Sequence, residues 1–147
     1  MAVNSRIAIR EVVSAMLVTP DDRLLLQLRD DKASLPYPNT WTLFGGAVDA
    51  GEAPVNAVTR KLAEELELSL PLTLWHQFPC PIRSEPGQRV CMHYCYWGRL
   101  NVPLDSLVLH EGQRFDLFTV EEASALPLAF DQQDVVRLFA ERVLKLP

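Results

Sequence analysis

The chain has 147 residues, 48% of them hydrophobic and 22% charged, with a formal net charge of −5. That composition fits one globular domain over residues 1–147, with enough chain to bury a single core, and excludes a disordered chain. The acidic balance argues against a sequence-independent nucleic-acid binder, which needs a basic face. No apolar run approaches a membrane span, and MAVNSRIAIR lacks a signal-peptide core, so no membrane partner and a cytoplasmic location are expected. Cys80, Cys91 and Cys95 are odd in number and unlike a disulfide framework.

In chain order, residues 7–19 read as a β-strand, with Ile7, Ile9, Val13, Ala15 and Leu17 in partial alternation. Thr19-Pro-Asp-Asp22 is a turn signal, and residues 24–28 read as the returning strand, which ends at Arg29. Residues 30–40 contain Pro36 and Pro38 and should form an irregular, exposed loop. Residues 41–46, WTLFGG, read as a short strand whose glycines allow tight turning and close approach to a ligand.

Residues 46–68, GAVDAGEAPVNAVTRKLAEELEL, pass from this glycine turn through Glu52 into a helix over about residues 54–66. At 100° per residue, Val55, Val58, Leu62 and Leu66 form one apolar stripe. Glu65 borders the stripe and Glu64 lies about 100° further round, with Lys61 between them. Two adjacent carboxylates near a glycine turn suit a hard divalent cation. Spacing alone fits an amphipathic helix with a solvated acidic face equally well.

Residues 72–82 and 89–100 read as a hairpin around residues 84–88. Cys91, His93 and Cys95 share one strand face, either as a zinc site or as a half-buried sheet face. Consecutive same-face residues splay apart, which favours the sheet face. Residues 107–113, LVLHEGQ, lead into a strand over 114–118. Thr119-Val-Glu-Glu122 is a capping box that opens a short helix. Asp131 can cap a last helix, buried through Val135, Leu138, Phe139 and Val143. No internal repeat, low-complexity tract or linker is visible.

The 46–68 segment resembles the Nudix box: Gly, five residues, Glu, seven residues, then Arg-Glu-apolar-any-Glu-Glu-any-Gly-apolar. Gly46, Glu52, Arg60, Leu62, Glu64, Glu65 and Leu68 fall in register. The resemblance implies an α/β (α+β) fold, the Nudix-type α/β/α sandwich with a mixed β-sheet. It implies a hydrolase that uses Mg2+ or Mn2+ to cut the pyrophosphate bond of a nucleotide or nucleotide-derived diphosphate. The expected partner is that small molecule, with a homodimer kept open.

By the same resemblance the metal ligands are Glu64, Glu65, the Gly45 carbonyl and, from the Glu-Gly loop, Glu111, which is a ligand or a general base. Glu52 and Arg60 form an orienting ion pair behind them. Arg29 either faces the substrate phosphates or is a surface charge. Trp41, Phe44, Tyr37 and Trp97 either stack on a base or pack in the core. Four positions depart from the pattern: Lys61 replaces a glutamate that ligates metal, Glu67 a glycine, Phe44 a proline, and Ala53 a helix-capping Ser or Thr. The Lys61 ammonium competes with a cation for Glu64 and Glu65, or swings onto the substrate's phosphates. The alternative to a hydrolase is an impaired module that binds a nucleotide-like ligand in a regulatory role.

Overall fold

Strand β1, Ala8–Val18, is the hub of the sheet. From Val13 to Val18 every residue is buried, because helices cover both faces, which is why its sequence alternates only in part. Val13, Ala15 and Leu17 enter one core cluster; Met16 and Val18 enter the other. The computed structural model describes residues 8–81 and 89–146, so Ile7 and the expected turn at 84–88 lie outside the described residues.

Along its whole length β1 pairs in parallel with β6, Arg89–Arg99, which pairs antiparallel with β5, Thr73–Pro81. On its other side β1 meets β4, Phe44–Ala47, and, at Val18 opposite Leu24, β2, Arg23–Leu28, both antiparallel. The turn between β1 and β2 closes with Asp22 donating to the Thr19 carbonyl at 2.9 Å. β2 also pairs with β3, Trp41–Thr42, and with β7, Arg114–Thr119. Among the described residues this is one mixed sheet of seven strands. Helix α1, Pro54–Leu66, covers one face; α2, Val120–Ala125, and α3, Gln132–Phe139, cover the other. The result is the expected α/β/α sandwich.

The buried face of α1 is rotated slightly from the expected stripe. Val58, Leu62 and Leu66 are buried, each contributing about 1.5–3 kcal/mol by leaving water. Val55 is 46% exposed, however, and Ala57 and Glu65 take the remaining core positions. The capping box at Thr119 is formed: its side chain accepts from the Glu122 amide, and Glu122 reaches back to the Thr119 amide. Asp131 does not cap α3 through its side chain; it adopts a left-handed conformation, φ 55°, that turns the chain into the helix. In α3, Val136 is buried and Leu138 is only half-buried, as is Val143 beyond it.

On β6, Cys95 is fully buried against the α3 side and His93 shares its Nε2 with the Ser14 hydroxyl at 2.8 Å. Burial pushes the His93 imidazole down to about 4 and the Cys95 thiol up to about 12. Among the described residues no group of three or more His, Cys, Asp or Glu is placed to hold a metal ion, so this face is sheet core rather than a zinc site. None of the described helices is long and apolar enough to cross a membrane.

The two ends of α1 carry a stability prediction. Ala53 sits at the N-cap with φ −76° and ψ 145°, the right backbone for a cap with no side chain to supply one. Ala53→Ser should stabilise the protein by about 0.5–2 kcal/mol, read as a raised melting temperature. At the C-terminus Glu67 is left-handed, φ 52°, and the Leu68 amide reaches back to the Leu62 carbonyl at 3.3 Å. Glu67→Gly removes the left-handed penalty of about 1 kcal/mol. It also removes the exposed Glu67–His110 pair, worth about 0–1 kcal/mol, so its net gain should be the smaller of the two. Unchanged melting in both variants would contradict this account of the helix ends.

Candidate active site

The glycine strand β4 and the last turns of α1 meet beside β1. Gly45 stands opposite Ser14 and Gly46 opposite Val13. Glu65 points from α1 into this junction, 2% exposed, and its Oε1 accepts from the Gly45 amide at 3.2 Å. Gly45 therefore gives Glu65 its N–H. From the far side the loop 107–113 docks on the open carbonyls of the helix: the Val108 amide donates to Leu66 at 3.2 Å and the His110 amide to Glu65 at 2.9 Å.

That docking brings the Glu111 carboxyl into side-chain hydrogen bonding with Glu65. Burial first, then the hydrogen bond and charge of Glu111, push the Glu65 carboxyl up to about 8. The loop is anchored beyond Glu111 as well. The Gln113 amide donates to the Leu28 carbonyl at 2.8 Å, and its side chain donates to the Arg29 carbonyl at 2.8 Å and to Asn39 Oδ1 at 2.9 Å. Gly112, at φ +86°, permits this approach, since a Cβ there would lie 2.7 Å from Gln27 Oε1 and 2.8 Å from the Leu28 carbonyl.

On the outer face of α1, Arg60 gathers the other acids. Its Nε and Nη2 donate to Glu52 at 2.9 Å each, its Nη1 to Glu64 at 3.0 Å, and its Nη2 lies 3.3 Å from Asp49 and donates to the Ala47 carbonyl at 3.3 Å. The Arg60 hydrogen bonds hold Glu52 down to about 2, and the same contacts raise Arg60 above its usual value. The Glu52–Arg60 ion pair expected from the sequence is thus present. The three candidate carboxylates are not gathered together: Glu65 meets Glu111, whereas Glu64 is 51% exposed and turned to Arg60.

A hard divalent cation seeks several oxygens. Glu65 and Glu111 bring two carboxyl groups together, hard oxygen donors of the kind such a cation takes, although no group of three or more His, Cys, Asp or Glu is placed for one among the described residues.

The aromatic candidates separate by burial. Phe44 is fully buried in the α1-side core, which corrects its assignment as a substrate-stacking ring: no ligand reaches it. Trp97 packs on Phe139 with Arg99 over its face. Trp41 packs edge-on against Phe118 under the Arg114 guanidinium, and Tyr37, 42% exposed, leans on Phe130. Trp41 and Tyr37 line an open cleft of about 390 Å³ with Asn39, Leu128, Asp131 and Gln133. Arg29 borders this region, its Nε donating to the Pro36 and Tyr37 carbonyls at 3.0 and 3.2 Å and its guanidinium over Phe130.

Two of these residues had no signal in the sequence. Gln133 presents a buried Oε1 with no partner among the described residues, and Gln113 ties the Glu111 loop to the cleft wall at Asn39. Both act across long sequence separations, and a lone glutamine in a loop or helix carries no local pattern.

The geometry agrees with what comparison with known proteins finds. A curated prenyl-diphosphate phosphatase from Methanosarcina mazei is 29% identical over 96 residues, 65% of this chain and 54% of that protein. The chain therefore spans about half the length of that relative. The structure of a MutT protein from Methanosarcina mazei superposes with a TM-score of 0.74 at 18% identity, covering 90% of this chain and 94% of that one. The NUDIX domain of Shewanella oneidensis NrtR, solved as a complex with ADP ribose, gives a TM-score of 0.73 at 23% identity, over 92% of this chain and 89% of that one. The family model for the NUDIX domain matches residues 8–139, from β1 to the end of α3, and the chain belongs to that family.

Proposed function

We propose that this protein hydrolyses the pyrophosphate bond of a nucleotide or nucleotide-derived diphosphate, with Mg2+ or Mn2+ bound at Glu65 and Glu111. The observation that carries the reading is the buried Glu65 carboxyl held against Glu111 beside the Gly45–Gly46 turn. A carboxyl so placed is costly to the fold, and a working site explains its presence. When bound, the cation supplies charge neutralisation on the phosphoryl oxygens and an activated water.

The chain's own residues have separate tasks in this reading. Glu65 is fixed by the Gly45 amide and carries a proton or a cation at its carboxyl. Glu111 stands on the solvent side of Glu65 and serves as the second oxygen ligand or as the base that takes a proton from water. Glu64 would add a further oxygen only by swinging away from Arg60, and the Gly45 carbonyl is the other candidate. Arg60 and Glu52 lock the first turns of α1 to the glycine loop and orient the whole set. Trp41 and Tyr37 receive the organic part of the substrate, where Gln133 Oε1 awaits a hydrogen-bond donor such as an exocyclic amine.

NUDIX membership supports this reading, as do an ADP-ribose-bound neighbour in the family and a relative named for a diphosphate substrate. The test is a hydrolysis screen over nucleoside triphosphates, dinucleotides, nucleotide sugars and prenyl diphosphates, with Mg2+ and then Mn2+. Turnover of one class, lost on adding EDTA, is the expected result. Absence of turnover in every class with both metals would overturn the proposal.

A further inference from the structure

Lys61 stands where the Nudix-box pattern has a metal-binding glutamate, and its surroundings differ from those of a surface lysine. It is half-buried, and its stem lies over the glycine turn: a Cβ added to Gly46 would sit 2.8 Å from Lys61 Cε and 3.0 Å from Nζ. Its charge bears on both Glu52 and Glu65, so the ammonium lies within electrostatic reach of each. Yet Lys61 makes no hydrogen bond, and no ion pair within 4.0 Å, among the described residues.

The neighbouring cations are already engaged. Arg60 is held by Asp49, Glu52, Glu64 and the Ala47 carbonyl. Arg29 Nε is held by two loop carbonyls. The nearby acids are also matched, Glu52 with Arg60 and Glu65 with the Gly45 amide and Glu111. An ammonium has three donors, and no protein acceptor among the described residues takes any of them here, so the oxygens of an anionic ligand can. An oxyanion held beside the Gly45–Gly46 turn is therefore a partner that suits this ammonium.

We propose that Lys61 binds a non-bridging oxygen of the substrate's diphosphate directly, so that this site holds a diphosphate anion without a divalent cation. The inference rests on the diphosphate reading above for the identity of the ligand. It assigns to a lysine of this chain the charge neutralisation that the Nudix pattern leaves to metal at that position. A lysine that merely offsets the charge of Glu65 would alter the pH dependence of stability and leave anion binding untouched.

The test is calorimetric titration of inorganic pyrophosphate into the full chain in excess EDTA. Native protein is expected to bind, Lys61→Met to bind about tenfold or more weakly, and Lys61→Arg to retain most of the affinity. Circular dichroism of each variant confirms folding, and the arginine variant keeps the test decisive if the methionine variant fails to fold: an arginine variant that does not bind would count against the proposal. Equal binding by native and Lys61→Met overturns it, as does native binding that requires Mg2+. In that last case, metal-dependent hydrolysis in the substrate screen would leave the hydrolase reading standing. Conversely, binding in EDTA that Lys61→Met loses, with no hydrolysis of any diphosphate, would uphold the role of Lys61 and overturn the hydrolase.

Discussion

Glu65→Gln is expected to abolish diphosphate hydrolysis and, in metal-free protein, to raise thermal stability at pH 8–9. Glutamine keeps the shape of the side chain and an acceptor for the Gly45 amide, but has neither a charge to offer a cation nor a proton to exchange. The stability effect follows from proton linkage. Glu65 titrates at about 8 in the fold against an ordinary 4.5, so between those values the folded state holds a proton that the unfolded chain has released. Its contribution is fully present below about pH 4.5, and stability falls as the pH rises through 8. The loss accrues between about pH 4.5 and 8 and is complete above 8, on the order of 3–5 kcal/mol before any sharing with Glu111. Removing the carboxyl removes that slope, so the melting temperature of the variant should exceed the native one at pH 9 and converge on it near pH 4. Full activity in Glu65→Gln, or a gain that is the same at both pH values, would contradict the placement of Glu65 in a working, buried pair.

Gly45→Ala carries the other large effect. At φ +143° a Cβ would lie 2.0 Å from the Val13 carbonyl oxygen and 2.9 Å from Ser14 Cα. Both belong to the backbone of β1, so neither can yield as a flexible side chain would. The pairing of β4 with β1 must open, and with it the amide that fixes Glu65. A loss on the order of 3 kcal/mol or more is expected, measured as a lowered denaturant midpoint. A loss below about 1 kcal/mol would mean that β4 can shift freely, and that the glycine serves ligand access alone.

Helix α1 was legible in the sequence to within the end residues of the element, because a 3.6-residue period, a proline at the start and a long spaced pattern all agree there. The strands were legible as well, although β1 showed only half of its alternation because it is buried on both faces. The division of labour between Glu64 and Glu65 was not. Sequence gives the 100° between them, but which side is covered depends on a loop more than 40 residues away that docks through His110 and Val108. Phe44 and Trp41 looked equivalent for the same reason. The chain breaks its pleat between β3 and β4, and that break buries one ring completely while leaving the other on a cleft wall. Asp131 reads as a cap by composition, yet its left-handed backbone is set by the turn entering α3.

The parallel pairing of β1 with β6 has a consequence for how the molecule is made. Ala8 aligns with Arg89 and Val18 with Arg99, so the hub strand waits for a partner that emerges from the ribosome about 80 residues later. Until then the stretch from Val13 to Val18 is an apolar ribbon with an unpaired edge, held by β2 and β4 on one side alone. Assembly should be a late, cooperative closure rather than a stepwise accretion, slow for a chain of this size because distant segments must meet first. The same delay is the interval in which nascent or refolding chains are most exposed to pairing with one another.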